Sequence, residues 1–325
     1  MPRRPRVFVT RRLPGGALDR LRERAEVDLW AGNLPPPREA LLERLREADG
    51  LLCLLTDRID AEVIAGAPGL RVISTMAVGY DHIDVAAATA RGIPVGHTPG
   101  VLTETTADLA WALLLATARR VVEGDRFVRE GRWRTWDPNL LLGHDVHGAT
   151  LGVVGMGAIG GAVAQRAHGF GMRVLYTRRS ERDAGIGRRV SLEELLRESD
   201  FVSLHVPLTE ETRHLVGERE LRLMKPTAIL INTARGPVVD QPALARALRE
   251  GVIAGAGVDV TEVEPIPADD PLLSAPNVVI LPHIGSASHA TRGRMAEMAV
   301  ENCLAGLEGR PLPHCVNPEV RPKVE

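Results

Sequence analysis

The sequence predicts an α/β protein made of two domains, each a doubly wound parallel sheet. Three observations carry that prediction. Short apolar runs alternate with helical patterns along almost the whole chain, which is the rhythm of strand–helix–strand crossovers. One run, Leu151-Gly152-Val153-Val154, leads at once into Gly155-Met156-Gly157-Ala158-Ile159-Gly160 and then into a helical stretch at 162–167. The chain has 325 residues, too many for one typical core.

Taken in order, Val7-Phe8-Val9-Thr10 reads as a strand and 17–24 as a helix. Residues 26–30 read as a strand and 37–48 as a helix, while Leu51-Leu52-Cys53-Leu54-Leu55 and Val72-Ile73-Ser74-Thr75 read as buried parallel strands. No phosphate loop interrupts this part, and 94–100, with Pro94 and Gly100, punctuates its end. Asp81-His82-Ile83-Asp84 reads as turn and helix-cap chemistry, with a pocket role as the lesser alternative. Thr103 reads as the N-cap of one long helix over 104–130, apolar on nearly every face at its middle and so buried all round or against a second subunit. The second sheet is expected to hold six strands, beginning at 151, 172, 201, 228, 254 and 278. A last helix over 291–306 returns to the first domain. The expected domains are therefore 1–100 plus 288–325, and 101–287.

Bulk composition excludes several classes. Hydrophobic residues at 44% and charged residues at 25% are ordinary for a globular chain. A net charge of −2 gives no field for nucleic acid or an acidic membrane surface. Cys53, Cys303 and Cys315 are odd in number and far apart, which suits a reducing cytosol better than a disulfide frame or a zinc site. His144-Asp145-Val146-His147 has no third ligand nearby, so no metal is expected. The apolar run at 109–118 is about half of a membrane span. Arg132-Trp133-Arg134-Thr135-Trp136 mixes basic and aromatic residues and reads as an oligomer arm rather than a single-strand binder. The expectation is a cytoplasmic protein with no membrane or nucleic-acid partner.

The glycine turn between a strand and a helix is the context a dinucleotide needs. Gly155 permits the tight turn, Gly157 lets backbone approach a pyrophosphate, and Gly160 lets helix and strand sit close. The helix N-terminus adds free N–H groups. A carboxylate for the ribose 2′-hydroxyl is expected at the end of the second strand. Thr177-Arg178-Arg179-Ser180 stands there instead. Two guanidinium groups suit a 2′-phosphate, so NADP(H) is expected over NAD(H), which stays as the alternative.

Three further stretches end strands on the edge where such sheets bind ligands. They are Asn232-Thr233-Ala234-Arg235-Gly236, Asp259-Val260-Thr261-Glu262-Val263-Glu264-Pro265, and Leu281-Pro282-His283-Ile284-Gly285-Ser286. An arginine, a carboxylate and a histidine converging there suit reduction of a 2-oxo acid. The arginine clamps the carboxylate and polarises the ketone, the histidine protonates the forming alkoxide, and the carboxylate stabilises the charged imidazole.

The glycine turn, Asn232-x-x-Arg235-Gly236, Glu264-Pro265 and Pro282-His283-Ile284-Gly285-Ser286 together resemble the D-isomer-specific 2-hydroxyacid dehydrogenases. The resemblance covers essentially the whole chain. Leu175-Tyr176-Thr177-Arg178-Arg179, Glu264-Pro265-Ile266-Pro267, Thr98-Pro99-Gly100-Val101-Leu102-Thr103 and Leu304-Ala305-Gly306-Leu307-Glu308-Gly309 look most like its glyoxylate/hydroxypyruvate reductase branch. It implies two Rossmann-like domains with the active site in the cleft between them. It implies that Arg235 binds substrate carboxylate and carbonyl, that His283 donates the proton, and that Glu264 is its partner. Val78 and Gly79 would offer backbone N–H groups to the carboxylate, and Ser286 would line the pocket. Gly155, Gly157, Ala158, Ile159, Gly160, Thr177, Arg178, Arg179, Val206, Pro207, Thr233, Asp259, His283 and Gly285 would hold the cofactor, with Asp259 and the backbone near Thr233 on the nicotinamide carboxamide. A homodimer through the cofactor domains is implied, with Trp136 reaching the partner's active site. The departure from the family is the missing Asp at 177, which bears on NAD use and not on catalysis.

The expected reaction is NADPH-dependent reduction of small 2-oxo acids, glyoxylate or hydroxypyruvate first. Dehydrogenation of phosphoglycerate or a general 2-ketoacid is the enzymatic alternative. A nucleotide-sensing corepressor is the non-enzymatic one.

Overall fold

The protein is described by a computed structural model over residues 3–179 and 184–320. Ser180 lies outside the described residues. The chain divides into two compact units, Met1–Leu102 with Ser286–Glu325, and Thr103–Gly285.

The first unit holds β1 (Arg6–Val9), α1 (Ala17–Arg24), β2 (Glu26–Leu29), α2 (Arg38–Leu45), β3 (Gly50–Cys53), α3 (Ala61–Ala65), β4 (Val72–Thr75), α4 (Val85–Ala90) and β5 (Val95–Gly96). Its sheet is parallel throughout, in the order β2-β1-β3-β4-β5. β3 and β4 are buried along their whole length because both faces are covered. Asp60 and Asp84 cap the short helices α3 and α4 by accepting the Val63 and Ala87 amides at 3.1 and 2.8 Å. β5 falls inside the stretch that sequence reading took only as punctuation. It has two residues, too few for any period to show, and the sheet recruits it by pairing with β4.

The second unit holds α5 (Thr103–Ala118), α6 (Val121–Arg129), β6 (Thr150–Val154), α7 (Ala158–Ala167), β7 (Arg173–Thr177), β8 (Arg188–Arg189), α8 (Leu192–Glu198), β9 (Phe201–Leu204), α9 (Glu218–Leu223), β10 (Ile229–Asn232), α10 (Gln241–Arg249), β11 (Gly255–Val258) and β12 (Val278–Ile280). The chain then returns to the first unit through α11 (His289–Leu307). The sheet is again parallel, in the order β12-β11-β10-β9-β6-β7-β8. Alternate residues of one strand serve opposite cores. Leu151, Val153, Val174, Tyr176, Ile229 and Ile231 pack with α5 and α7, whereas Val154, Leu175, Val202, Leu204 and Leu230 pack with α8, α9 and α10.

Two expectations for this unit need correction. The sheet has seven strands, because Arg188–Arg189 pairs with Leu175 and Tyr176. An exposed Arg-Arg pair carries no apolar signal. The helix over 104–130 is two helices, and Thr103 is its first residue rather than its cap. Arg120 sits in the left-handed region at φ 51°, and the Ala118 carbonyl accepts the His144 amide at 2.9 Å in place of a continuing helical bond. A distant downstream loop thus ends α5, which no local pattern announces.

Candidate active site

β10, β11 and β12 are neighbours, with Asn232 in register with Val258 and Val258 with Ile280. Their carboxyl ends therefore open side by side. The loop after β10 folds on itself, with Asn232 Nδ2 donating to Arg235 O at 2.9 Å and the Ala234 amide donating to Asn232 Oδ1 at 3.0 Å. Gly236 lets this loop meet the next one, since a Cβ there would fall 1.8 Å from Thr261 O. Arg235 precedes it, with Nη1 donating to Ala234 O at 2.8 Å.

The loop after β12 is held from β11. His283 N donates to Asp259 O, Ile284 N to Asp259 Oδ1 and Gly285 N to Asp259 Oδ2, at 2.8, 2.7 and 2.7 Å. His283 takes φ 55°, a left-handed conformation that a non-glycine residue keeps only when its surroundings impose it. Burial pushes the Asp259 carboxyl up, and the Ile284 and Gly285 amides act against that shift. Glu264 is shaped by its own loop, accepting the Thr261 amide at 3.2 Å while Thr261 Oγ1 donates to Val263 O at 2.7 Å. Its other oxygen lies 2.7 Å from His283 Nδ1. A carboxylate only accepts, so Nδ1 carries the proton in that bond and Nε2 is the ring nitrogen not used by Glu264.

The glycine turn stands at the carboxyl end of β6, and the N-terminus of α7 follows it. Gly155 takes φ 99°, a region open to glycine, and the Gly155 and Met156 amides both donate to Thr177 O at 3.2 Å. That pair of bonds ties the turn to the stretch that carries Arg178 and Arg179. α7 begins at Ala158 with Gly157 as N-cap and no side-chain cap, so its first-turn amides, through Gly160, remain for a ligand. A Cβ on Gly157 would meet nothing within 4 Å. Among the described residues Thr233 Oγ1, beside this edge, is buried with no hydrogen-bond partner. An open turn, uncapped amides and an orphaned hydroxyl fit a dinucleotide.

β8 adds a residue that sequence reading missed. Arg189 lies in β8 beside β7 and its guanidinium donates to the Arg178 backbone carbonyl at 3.1 Å, so a third arginine stands against the stretch that carries Arg178 and Arg179. Arg179 itself pairs with Glu211 at 3.4 Å on the exposed surface. Val206 and Pro207 follow β9, where Thr212 Oγ1 donates to Pro207 O at 2.6 Å. His205 beside them is neutral, because burial pushes it down to about 4.

In the first unit, Val78 and Gly79 follow β4 at the carboxyl edge of that sheet. Ser286 opens the return to this unit, accepting the Ser288 amide at 2.8 Å. A cavity of about 480 Å³ beside Leu55, Thr56, Arg58 and His82 is also lined by Asp81 and Asp84, and it contains none of the residues assigned to chemistry. Trp136 lies in the arm after α6 and is 78% exposed. Cys53 is inert core, its thiol pushed up by burial. Among the described residues no three metal-binding side chains gather, and no helix is long and apolar enough to cross a membrane.

Residues 111–285 match the model of the D-isomer specific 2-hydroxyacid dehydrogenase NAD binding domain. The chain belongs to that family. Its cofactor is accordingly a nicotinamide dinucleotide. Within the family it falls in the glyoxylate reductase branch. A glyoxylate reductase of Korarchaeum cryptofilum is 60% identical over 98% of this chain and 97% of its own length, and one of Aeropyrum pernix is 54% identical over the same shares. Among solved structures, a Thermus thermophilus protein superposes with TM-score 0.92 at 58% identity, covering 96% of this chain and 99% of that one. An NADPH-dependent glyoxylate/hydroxypyruvate reductase of Sinorhizobium meliloti, solved with NADP and malonate, gives 0.86 at 33% identity over 99% and 100%.

Proposed function

We propose that the protein is a cytoplasmic, NADPH-preferring reductase that converts glyoxylate to glycolate and hydroxypyruvate to D-glycerate. The observation that carries the reading is the 2.7 Å bond between His283 Nδ1 and Glu264 on adjacent strand ends, which leaves Nε2 free to act. Arg235 binds the substrate carboxylate and polarises the carbonyl. The Val78 and Gly79 amides would be further donors to the carboxylate, and Ser286 would line the substrate pocket. The reduced nicotinamide, when bound, supplies a hydride to the carbonyl carbon. His283 Nε2–H gives its proton to the carbonyl oxygen, and Glu264 holds the ring while that proton leaves.

The α7 amides with Gly155 and Gly157 would hold the pyrophosphate, and Thr233, Asp259 and Gly285 would stand at the nicotinamide end, with Val206 and Pro207 along the cofactor. Arg178, Arg179 and Arg189 would take the 2′-phosphate, as guanidinium groups do bidentately. The likeness to the glyoxylate reductases of Korarchaeum cryptofilum and Aeropyrum pernix and the NADP held by the Sinorhizobium enzyme support this reading. We also propose a homodimer through α6 and its arm. α6 buries none of its residues, and Val121, Val122, Val128, Trp133 and Trp136 are exposed together.

The test is oxidation of NADPH and NADH, side by side, with glyoxylate, hydroxypyruvate and pyruvate. Faster NADPH turnover with the first two acids supports the whole reading. A preference for NADH removes the 2′-phosphate assignment and leaves the hydride chemistry standing. No turnover with any acid removes the reductase reading.

A further inference from the structure

Val78 and Gly79 lie in a segment clamped at successive carbonyls. Thr98 N donates to Ala77 O at 2.9 Å, and His97 Nδ1 lies 2.9 Å from Val78 O. A carbonyl oxygen only accepts, so His97 donates from Nδ1. A trans peptide is planar, with its C=O and N–H pointing opposite ways. Holding Ala77 O therefore aims the Val78 N–H, and holding Val78 O aims the Gly79 N–H. Among the described residues neither of these two amides donates a hydrogen bond within the protein. Two successive amides without an acceptor in the described protein are donors of the kind a carboxylate takes.

His97 is itself fixed. Its amide donates to His314 O at 3.1 Å, Asn302 Nδ2 donates to its carbonyl at 2.9 Å, and its ring meets Tyr80 edge-on with centroids 5.7 Å apart. His97 is half-buried. Of the two clamps on this segment, the Thr98 one is backbone and the His97 one is a side chain.

We propose that His97 is a positioning residue that aims the Gly79 amide at the substrate carboxylate. This rests on the reading of Val78 and Gly79 as substrate donors. The carboxylate keeps its charge throughout hydride transfer, so binding it is common to ground and transition states and acts on KM rather than kcat.

The experiment compares the wild type with His97→Ala and His97→Asn, using glyoxylate and the better nicotinamide cofactor. Asn carries an N–H donor at the same number of bonds from Cα as His Nδ1. In His97→Ala the KM for glyoxylate should rise about tenfold, with kcat within about twofold, as loss of a uniform binding contact implies. The Ki of oxalate should rise in parallel, while the cofactor KM and Tm stay put. His97→Asn should recover most of the lost affinity. An unchanged KM in His97→Ala overturns the inference, and so does a loss that tracks Tm or that Asn fails to rescue. A wild type that turns over no 2-oxo acid overturns the reading beneath it, and the inference with it.

Discussion

The two sheets present different chemistry at their carboxyl edges. The second unit offers side chains there: Arg235, the His283–Glu264 pair, Asp259 bracing it, and the orphaned Thr233 hydroxyl. The first unit offers backbone, the Val78 and Gly79 amides, held from behind by Thr98 N and His97, with buried Asp57 accepting the Leu54 amide at 2.8 Å. On the proposed function, the difference is a division of labour. Proton transfer needs a titratable group, so it falls to side chains. Recognition of a carboxylate needs only aimed N–H dipoles, which any residue supplies.

The largest expected effect breaks the second edge. His283→Ala should lower kcat about a thousandfold, within the range of a lost general acid, with glyoxylate KM changing only a few fold. Steady-state kinetics set beside His97→Ala then read the two edges separately, one in kcat and one in KM. Retained kcat in His283→Ala would dissolve the contrast.

A smaller effect separates the two histidines of the second edge. His205 is pushed down to about 4 by burial, against an ordinary value near 6.5. Between those values the unfolded chain takes up a proton that the folded chain refuses, so stability falls as pH falls through that window. The loss should reach roughly 3 kcal/mol near pH 4, at about 1.4 kcal/mol per pH unit. Thermal melts from pH 7 to pH 4 should show it, and His205→Gln should flatten the slope. A His205→Gln curve parallel to the wild type would show that His205 is not held neutral.

The smallest effect sharpens the account of the first edge. Thr98 acts through its amide, and among the described residues its buried Oγ1 has no hydrogen-bond partner. Thr98→Val removes that hydroxyl and keeps the shape, so stability should change by less than about 0.5 kcal/mol, and glyoxylate KM should hold. A clear loss in denaturant melts would show that the hydroxyl contributes to the edge.

The same division explains what could be read beforehand. Gly155-x-Gly157-x-x-Gly160, Arg235, Glu264 and His283 are letters whose chemistry is their own, and the apolar runs of buried parallel strands are visible in any window. The clamp by His97 was not legible, because it is a pairing between strand ends 19 positions apart. Arg189 was hidden in a two-residue strand without apolar content, and the break between α5 and α6 depends on the distant His144 amide. Asp259 is expected from sequence at the nicotinamide; what the structure shows is that its carboxylate accepts the Ile284 and Gly285 amides and so holds the loop that carries His283. Position in sequence did not reveal that bracing.

The first unit is assembled from both ends of the chain. α11 closes over β3 and β4: Ser74 Oγ donates to Ala299 O at 2.8 Å, Gly50 faces Leu307 and Cys303, and Gly306 faces Val72. On the ribosome all of Thr103–Gly285 is made between these partners. At about 5–20 residues per second, the bare face of that sheet waits on the order of ten seconds or more for its cover. The middle of the chain can reach its native state first, while the leading segment stays adhesive, a natural client for a chaperone until the last helix emerges.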